Sequence, residues 1–200
     1  MFNYVLFLVK ASILSNKYLF VKEALKSYKT SGTIVPSSRF LAKKMLKRIN
    51  FSSANVIVEL GPGNGAFTKD ILKKMDSKTT LVCFEINDTF YEELKLIKHP
   101  NLKVIKASAE FLDVELAKIG YTKVDHIISS VPLSILPKPL STAILKQSYA
   151  VLKSKGLFVQ YQYSLGYYEE LRELFLKQNI SLSFEPINVP PAFIYYCMKK

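Results

Sequence analysis

The sequence predicts an α/β fold: a doubly wound, mainly parallel sheet of seven strands that ends in an antiparallel strand, with a helical extension at the N terminus. From Arg39 onward, short apolar runs typical of buried strands alternate with segments of helical periodicity. This alternation indicates crossover connections between parallel strands. The last two strand patterns are separated only by residues 188–191, which are too few for a crossover helix. Those two strands must therefore pair antiparallel.

The predicted elements follow one another in a regular order. Strands are predicted at residues 56–60, 81–86, 102–105, 124–129, 157–163, 180–185 and 193–198. Helices are predicted at residues 66–75, 88–98, 110–119, 139–152 and 167–178. The N-terminal pattern of apolar residues and periodic lysines is interrupted at residues 31–38, which contain Gly and Pro. We divide the chain into a basic helical segment, residues 1–48, and a sheet domain, residues 49–200.

Composition and charge limit the classes of protein that fit. With 49% hydrophobic residues the chain can form a packed core, so a wholly disordered chain is excluded. The longest uninterrupted apolar run covers only residues 4–9, far short of the roughly 20 residues of a membrane-spanning helix. The formal net charge is +12, and most of it falls within residues 1–50. This imbalance indicates an anionic partner, either nucleic acid or a lipid surface.

A glycine-rich loop after the first strand is the most informative motif. Gly61, Gly63 and Gly65 alternate directly between a strand and a helix, where the backbone turns sharply and approaches a ligand closely. Glu59 at the end of the strand would repel a phosphate and suits a cationic ligand. Glu85 closes the second strand, where an acid can accept both hydroxyls of a ribose. No Lys-Ser/Thr pair follows the glycines, so a P-loop is excluded.

Together these five residues resemble the S-adenosylmethionine site of class I methyltransferases, whose architecture is the predicted sheet. The resemblance implies S-adenosylmethionine as cofactor and a set of residues that bind it: Glu59, Gly61, Pro62, Gly63, Asn64, Gly65, Glu85, Ile86, Ser108, Ala109 and Ser129. One position departs from the pattern. Ser108 stands where such enzymes usually carry the Asp that contacts adenine, so that contact is weaker here unless Glu110 replaces it.

A closer resemblance covers nearly the whole chain. Residues 33–42 (TIVPSSRFLA), 58–68 (VELGPGNGAFT), 84–87 (FEIN), 129–133 (SSVPL) and 158–164 (FVQYQYS) are similar, in order, to elements of the bacterial phospholipid N-methyltransferases. That family methylates the amine of phosphatidylethanolamine towards phosphatidylcholine. Related enzymes methylate ornithine lipids, which is the alternative substrate.

The ribosomal RNA adenine dimethylases are the main alternative family. They share the glycine loop but carry Asn-x-Pro-Tyr/Phe after the fourth strand, where the Asn and a backbone carbonyl hold the adenine amine and the aromatic ring stacks on the base. Here Ser130, Pro132 and Leu133 occupy the corresponding positions. The C-terminal helical domain of those enzymes is also not expected. The motif therefore disfavours nucleic acid as the substrate.

Aromatic and hydroxyl side chains near the ends of the fourth and fifth strands are the candidates for the acceptor site. A methylated amine is a cation without N–H donors, which aromatic faces hold best. Tyr161 and Tyr163 alternate towards the end of the fifth strand, with Tyr167 and Tyr168 close behind. We expect Tyr161, Tyr163 and Ser130 to act on the acceptor amine. Core packing and turn formation explain the same residues equally well.

The N-terminal segment supplies the candidate membrane contacts. A helix with a wide apolar face flanked by lysines can lie in a membrane interface, and the alternative is a helix packed on the sheet. The candidate residues for lipid or substrate contact are Lys10, Lys17, Lys22, Lys26, Lys29, Ser37, Ser38 and Arg39.

The prediction is therefore a monomeric, cytoplasmic methyltransferase without a metal that associates peripherally with the inner membrane. Its expected partners are an anionic lipid surface and an aminophospholipid. A methyltransferase-like binding protein without turnover is the alternative from another class.

Overall fold

The computed structural model describes residues 39–200, and these form an α/β sheet domain. Its strands are β1 (Val56–Leu60), β2 (Thr80–Phe84), β3 (Leu102–Ile105), β4 (Val124–Ser129), β5 (Leu152–Gln162), β6 (Ile180–Glu185) and β7 (Ala192–Met198). They make a seven-stranded sheet in the order β3-β2-β1-β4-β5-β7-β6. The five strands from β3 to β5 are parallel, whereas β7 is antiparallel to both of its neighbours. The predicted fold class is confirmed.

Six α-helices accompany the strands in the described part of the chain. They are α1 (Arg39–Leu46), α2 (Ala66–Lys74), α3 (Asp88–Lys95), α4 (Leu112–Lys118), α5 (Lys138–Val151) and α6 (Tyr168–Phe175). The strand order reverses between β1 and β4, which is where open α/β sheets bind ligands at the carboxyl ends of their strands. The glycine loop follows β1 and therefore lies at this switch point.

Every residue of β1 is buried, which shows that both faces of the sheet are covered at its centre. On one face α1 and α2 pack against a hydrophobic cluster that includes Ile57, Leu81, Ile128 and Val159. On the other face Phe175 of α6 stacks on Phe158 of β5, with ring centroids 5.8 Å apart. Both cysteines are free thiols within this core, and burial raises their pKa, as expected for inert thiols.

The start of β5 differs from the prediction. The strand begins at Leu152 rather than at residue 157, because Leu152 pairs with Val124 ahead of a register shift. The Lys153 ammonium lies 2.6 Å from the Asp125 carboxylate and holds this extra segment against β4. Gly156 permits the close approach: a Cβ there would lie 2.7 Å from the Asp125 carbonyl oxygen. These contacts join residues far apart in sequence, so local patterns cannot reveal them.

Helix α1 is amphipathic. Its buried side chains are Leu41, Ala42, Met45 and Leu46, and they belong to the hydrophobic cluster. The domain boundary at residue 48 stays a prediction, as do the roles of Ser37, Ser38 and the five N-terminal lysines, which lie outside the described residues. Between residues 39 and 200, no helix has the length and apolar character needed to cross a membrane.

Candidate active site

The glycine loop lies between β1 and α2 and has the backbone that only glycine adopts readily. Gly61, Gly63 and Gly65 have φ values of 66°, 57° and 77°. The Gly61 amide donates to the Phe84 carbonyl oxygen over 3.0 Å, which holds the loop against the end of β2. A Cβ at Gly61 would lie 3.3 Å from Val131, so the loop also passes close to the segment after β4. Pro62 is buried, and Asn64 is exposed at the tip of the loop.

Glu85, which follows β2, faces the loop. One of its carboxylate oxygens accepts a hydrogen bond from the Gly63 amide over 3.0 Å, and the other accepts one from the Asn87 amide over 2.8 Å. Ile86 lies between these residues and is half-buried. The structure therefore brings together the glycines and the acid that the sequence singled out for the ribose.

Glu59 is completely buried on the α2 side of the sheet. Its Oε2 accepts a hydrogen bond from the Thr68 hydroxyl over 2.6 Å and a weaker one from the Cys83 thiol, whose sulfur lies 3.4 Å away. Its Oε1 is buried without a hydrogen-bond partner. Burial removes water from the carboxylate and raises its pKa from 4.5 to about 7, a rise that the bonds from Thr68 and Cys83 oppose. An orphaned carboxylate oxygen two residues before the glycine loop fits a cofactor that carries positive charge.

The residues expected at the adenine follow β3. Ser108 caps a short 3-10 helix, since its hydroxyl accepts from the Glu110 amide over 3.4 Å. Ala109 is buried and Glu110 is half-buried. All three lie at the same edge of the sheet as Glu85, because β2 and β3 are parallel neighbours.

The segment after β4 is held by hydrogen bonds within the protein. Ser129 is buried, and the Ser130 hydroxyl is buried without a partner. The Val131 carbonyl oxygen accepts two hydrogen bonds, from the Leu133 amide over 2.8 Å and from the Gln160 side-chain amide over 3.0 Å. Since a carbonyl oxygen has two lone pairs, both acceptor positions of Val131 are in use. We refer to residues 130–133 as the acceptor segment.

Gln160 is a functional residue that the sequence pattern did not single out. Its side chain is fully buried, and its NH₂ group bridges the carbonyl oxygens of Val131 and Tyr161, at 3.0 Å and 2.7 Å. In the sequence Gln160 is only a polar residue within a strand pattern. Its hydrogen-bond partner Val131 follows β4, far away along the chain. Tyr167 was a candidate for the headgroup site. Its buried hydroxyl donates a hydrogen bond to the Leu133 carbonyl oxygen over 2.8 Å and so also stabilises the acceptor segment.

Tyr161 and Tyr163 lie together near the carboxyl end of β5, as the sequence predicted. Their ring centroids are 5.7 Å apart at an interplanar angle of 68°. Tyr161 also meets Phe67, at the start of α2, with centroids 6.4 Å apart. Both tyrosines are half-buried against the hydrophobic cluster on the α1 and α2 face. Arg39 is exposed at the first position of α1, and no metal-ligand cluster occurs among residues 39–200.

The chain matches the family model described as ribosomal RNA adenine dimethylase over residues 34–164, about two thirds of its length. It belongs to that family. It is a class I, S-adenosylmethionine-dependent methyltransferase. The sequence motifs had disfavoured this family, because residues 130–133 lack its acceptor motif, and had favoured the phospholipid N-methyltransferases. Of what the resemblance to the phospholipid N-methyltransferases implied, the fold, the methyltransferase class and the cofactor are confirmed.

Known proteins match this chain over different fractions of its length. An ornithine lipid N-methyltransferase from Singulisphaera acidiphila is 27% identical over 90% of this chain and 94% of its own. A ribosomal RNA small subunit methyltransferase A from Mycoplasma mycoides is 32% identical over 56% of this chain and 41% of its own, so the chain spans less than half of that protein. An O-methyltransferase from Bacillus cereus in complex with SAH shares the fold, with a TM-score of 0.65 at 13% identity over 90% of each chain.

The acceptor segment departs from the Asn-x-Pro-Tyr/Phe motif of the adenine dimethylases. Leu133 stands where the adenine dimethylases carry an aromatic ring, and its side chain is completely buried. Ser130 replaces the Asn, and it offers a hydroxyl rather than an amide. The segment therefore has neither a ring to stack on a base nor an amide to hold an adenine amine.

Proposed function

We propose that this protein methylates the amine of a membrane aminolipid, with an ornithine-lipid headgroup as the first candidate. The observation that carries the proposal is the acceptor segment, in which the side chain of Leu133 is buried and the carbonyl oxygen of Val131 already accepts two hydrogen bonds. The match to an ornithine lipid N-methyltransferase along 90% of the chain supports a lipid amine. It favours ornithine lipid over phosphatidylethanolamine, which the sequence motifs alone favoured.

The described residues explain how the cofactor and a lipid amine would be accommodated. Glu85 and the glycine loop are the groups that would hold the ribose, and the unpartnered Glu59 oxygen suits the positively charged part of the cofactor. When bound, S-adenosylmethionine supplies a methyl group from its sulfonium to a neutral amine. Tyr161 and Tyr163 present aromatic surface on which a methylated ammonium is stabilised.

The amine must lose a proton to solvent before it can react, because an ammonium has no lone pair. Partial burial between the tyrosines and the acceptor segment would favour this loss, since desolvation lowers the pKa of an amine. The Ser130 hydroxyl is buried without a partner and is suited to accept an N–H bond from the neutral amine. We therefore assign Ser130 to orientation of the amine.

RNA adenine is the second candidate acceptor. Family membership and the net charge of +12 favour it, whereas the acceptor segment does not. The two candidates therefore predict different products from the same enzyme and cofactor.

Methyl-labelled S-adenosylmethionine tests the proposal. The protein is incubated in turn with vesicles that contain ornithine lipid, vesicles that contain phosphatidylethanolamine, and single-stranded ribosomal RNA. We expect label in the ornithine lipid and none above the Glu85→Ala background in the RNA. Label in RNA adenine alone would contradict the proposal. Cofactor binding without label in any acceptor would favour a binding protein without turnover.

A further inference from the structure

A cleft runs along α1 on the face of the sheet that α1 and α2 cover, with a volume of about 650 Å³. Four lysines line it: Lys43, Lys44, Lys47 and Lys74. We call it the lysine cleft. Among the described residues, Glu185 at the end of β6 is the acidic residue of its lining.

The lysine cleft carries excess positive charge. Glu185 is neutralised by Lys44, whose ammonium lies 3.2 Å from its carboxylate and also donates to the Phe184 carbonyl oxygen over 2.6 Å. Within residues 39–200, Lys43, Lys47 and Lys74 make no ion pair and are exposed. Lys43 of α1 and Lys47, the residue directly after that helix, are both exposed and only four residues apart, and like charges this close together repel. An anion bound between these ammonium groups would relieve that repulsion.

The walls of the lysine cleft are apolar. They are formed by Phe40, Leu46, Ile49 and Phe51. Leu46 and Ile49 are buried and form the floor, whereas Phe40 is 55% exposed at the rim. Among the described residues of the lining, the polar ones are the lysines and Glu185, and none of them carries an amide, guanidinium or hydroxyl group of the kind that reads bases. A ligand that matches this lining has an anionic head and an apolar body.

We propose that the lysine cleft binds an anionic glycerophospholipid, with the phosphodiester on Lys43, Lys47 and Lys74 and an acyl chain along Phe40 and Phe51. This lipid is a docking ligand rather than the methyl acceptor, so the inference goes beyond the proposed function and needs no turnover. Leu46 and Ile49 belong to the hydrophobic cluster against which Tyr161 and Tyr163 also pack. A lipid held in the cleft would therefore lie beside the hydrophobic cluster against which the two tyrosines pack.

Vesicle binding without cofactor tests the inference. The parent protein is compared with the triple variant Lys43→Gln/Lys47→Gln/Lys74→Gln on phosphatidylcholine vesicles with and without phosphatidylglycerol. The matched control, Lys98→Gln/Lys103→Gln/Lys146→Gln, removes the same charge from exposed lysines elsewhere in the domain. Since each lysine near an anionic surface contributes roughly fivefold, we expect the cleft variant to lose at least about tenfold in affinity and the control less than about threefold. Equal losses in the two triple variants would overturn the proposal.

Soluble ligands separate a phospholipid from other anions. We expect short-chain phosphatidylglycerol to bind more tightly than its deacylated headgroup or inorganic phosphate, and Phe40→Ser to weaken the short-chain lipid alone. Equal binding of lipid and phosphate would contradict a lipid site. A loss of RNA binding in the cleft variant, with vesicle binding intact, would instead assign the cleft to RNA. Methylation of acceptor lipid in detergent micelles reports on the proposed function separately, because micelles without anionic lipid do not require the cleft.

Discussion

At the scale of single residues, Glu59 gives the fold a measurable dependence on pH. Burial raises its pKa from 4.5 to about 7, so the folded protein keeps a proton that the unfolded chain releases above pH 4.5. Stability therefore falls as the pH rises through that window, by an amount on the order of 3 kcal/mol. Cys83 and Glu85 are the other ionisable groups that act on this carboxylate.

Glu59→Gln removes this dependence, because the amide carries no titrating proton. We expect the variant to unfold at higher urea concentration than the parent at about pH 8 and to lose most of that advantage at about pH 5. Burial also lowers the pKa of His126, but this residue is present in both proteins and its contribution cancels in the comparison. A difference in stability that is the same at the two pH values would contradict the assignment.

Gln160 is a positioning residue for the acceptor segment. Replacing it with Glu puts a carboxylate oxygen against the carbonyl oxygens of Val131 and Tyr161, which now receive its two N–H bonds. We expect kcat to fall by about tenfold to a hundredfold while the KM for S-adenosylmethionine stays unchanged, with a stability cost of about 1–3 kcal/mol. Activity should recover partly at low pH, where a protonated Glu can donate one bond. An equal loss at every pH, or a higher cofactor KM, would indicate a merely structural role.

At the scale of elements, the early start of β5 depends on the close contact between Gly156 and β4. A Cβ at Gly156 would meet the carbonyl oxygens of Asp125 at 2.7 Å and Lys153 at 2.8 Å, so the register shift has no room for a side chain. We expect Gly156→Ala to lower the free energy of unfolding by about 2–3 kcal/mol.

Gly166→Ala is the matched control in urea unfolding. The nearest atom to a Cβ at Gly166 is the Ser164 hydroxyl oxygen, 3.6 Å away, so the change should be within about 0.5 kcal/mol of neutral. Equal effects of the two substitutions would mean that the register shift does not restrict this position.

At the scale of the whole molecule, the fold was predictable from sequence because its signals are local. Buried runs of β-branched residues, the helical spacing between them and the short connection before β7 depend on neighbours along the chain. The glycine loop and Glu85 were predictable for the same reason, since strand ends and turns determine their place.

The remaining features depend on contacts between distant elements. In the sequence Gln160 looks like an ordinary polar strand residue. Its role follows from the pairing of β4 with β5, which places Val131 within hydrogen-bond distance. The lysine cleft combines lysines of α1 with Lys74 of α2 and Glu185 of β6, which come together only when the chain folds. From the sequence, Tyr167 was a candidate for the headgroup site. In the structure its hydroxyl donates a hydrogen bond to the Leu133 carbonyl oxygen.

We propose that the acceptor segment suits a lipid amine rather than an adenine base. A single reaction that contains ornithine-lipid vesicles, an adenine-containing ribosomal RNA fragment and labelled S-adenosylmethionine tests it most directly, with mass spectrometry of both products. We predict methylated lipid amine and no methyladenine above the Glu85→Ala background. Methyladenine as the main product, with unmodified lipid, would contradict a lipid amine as the acceptor.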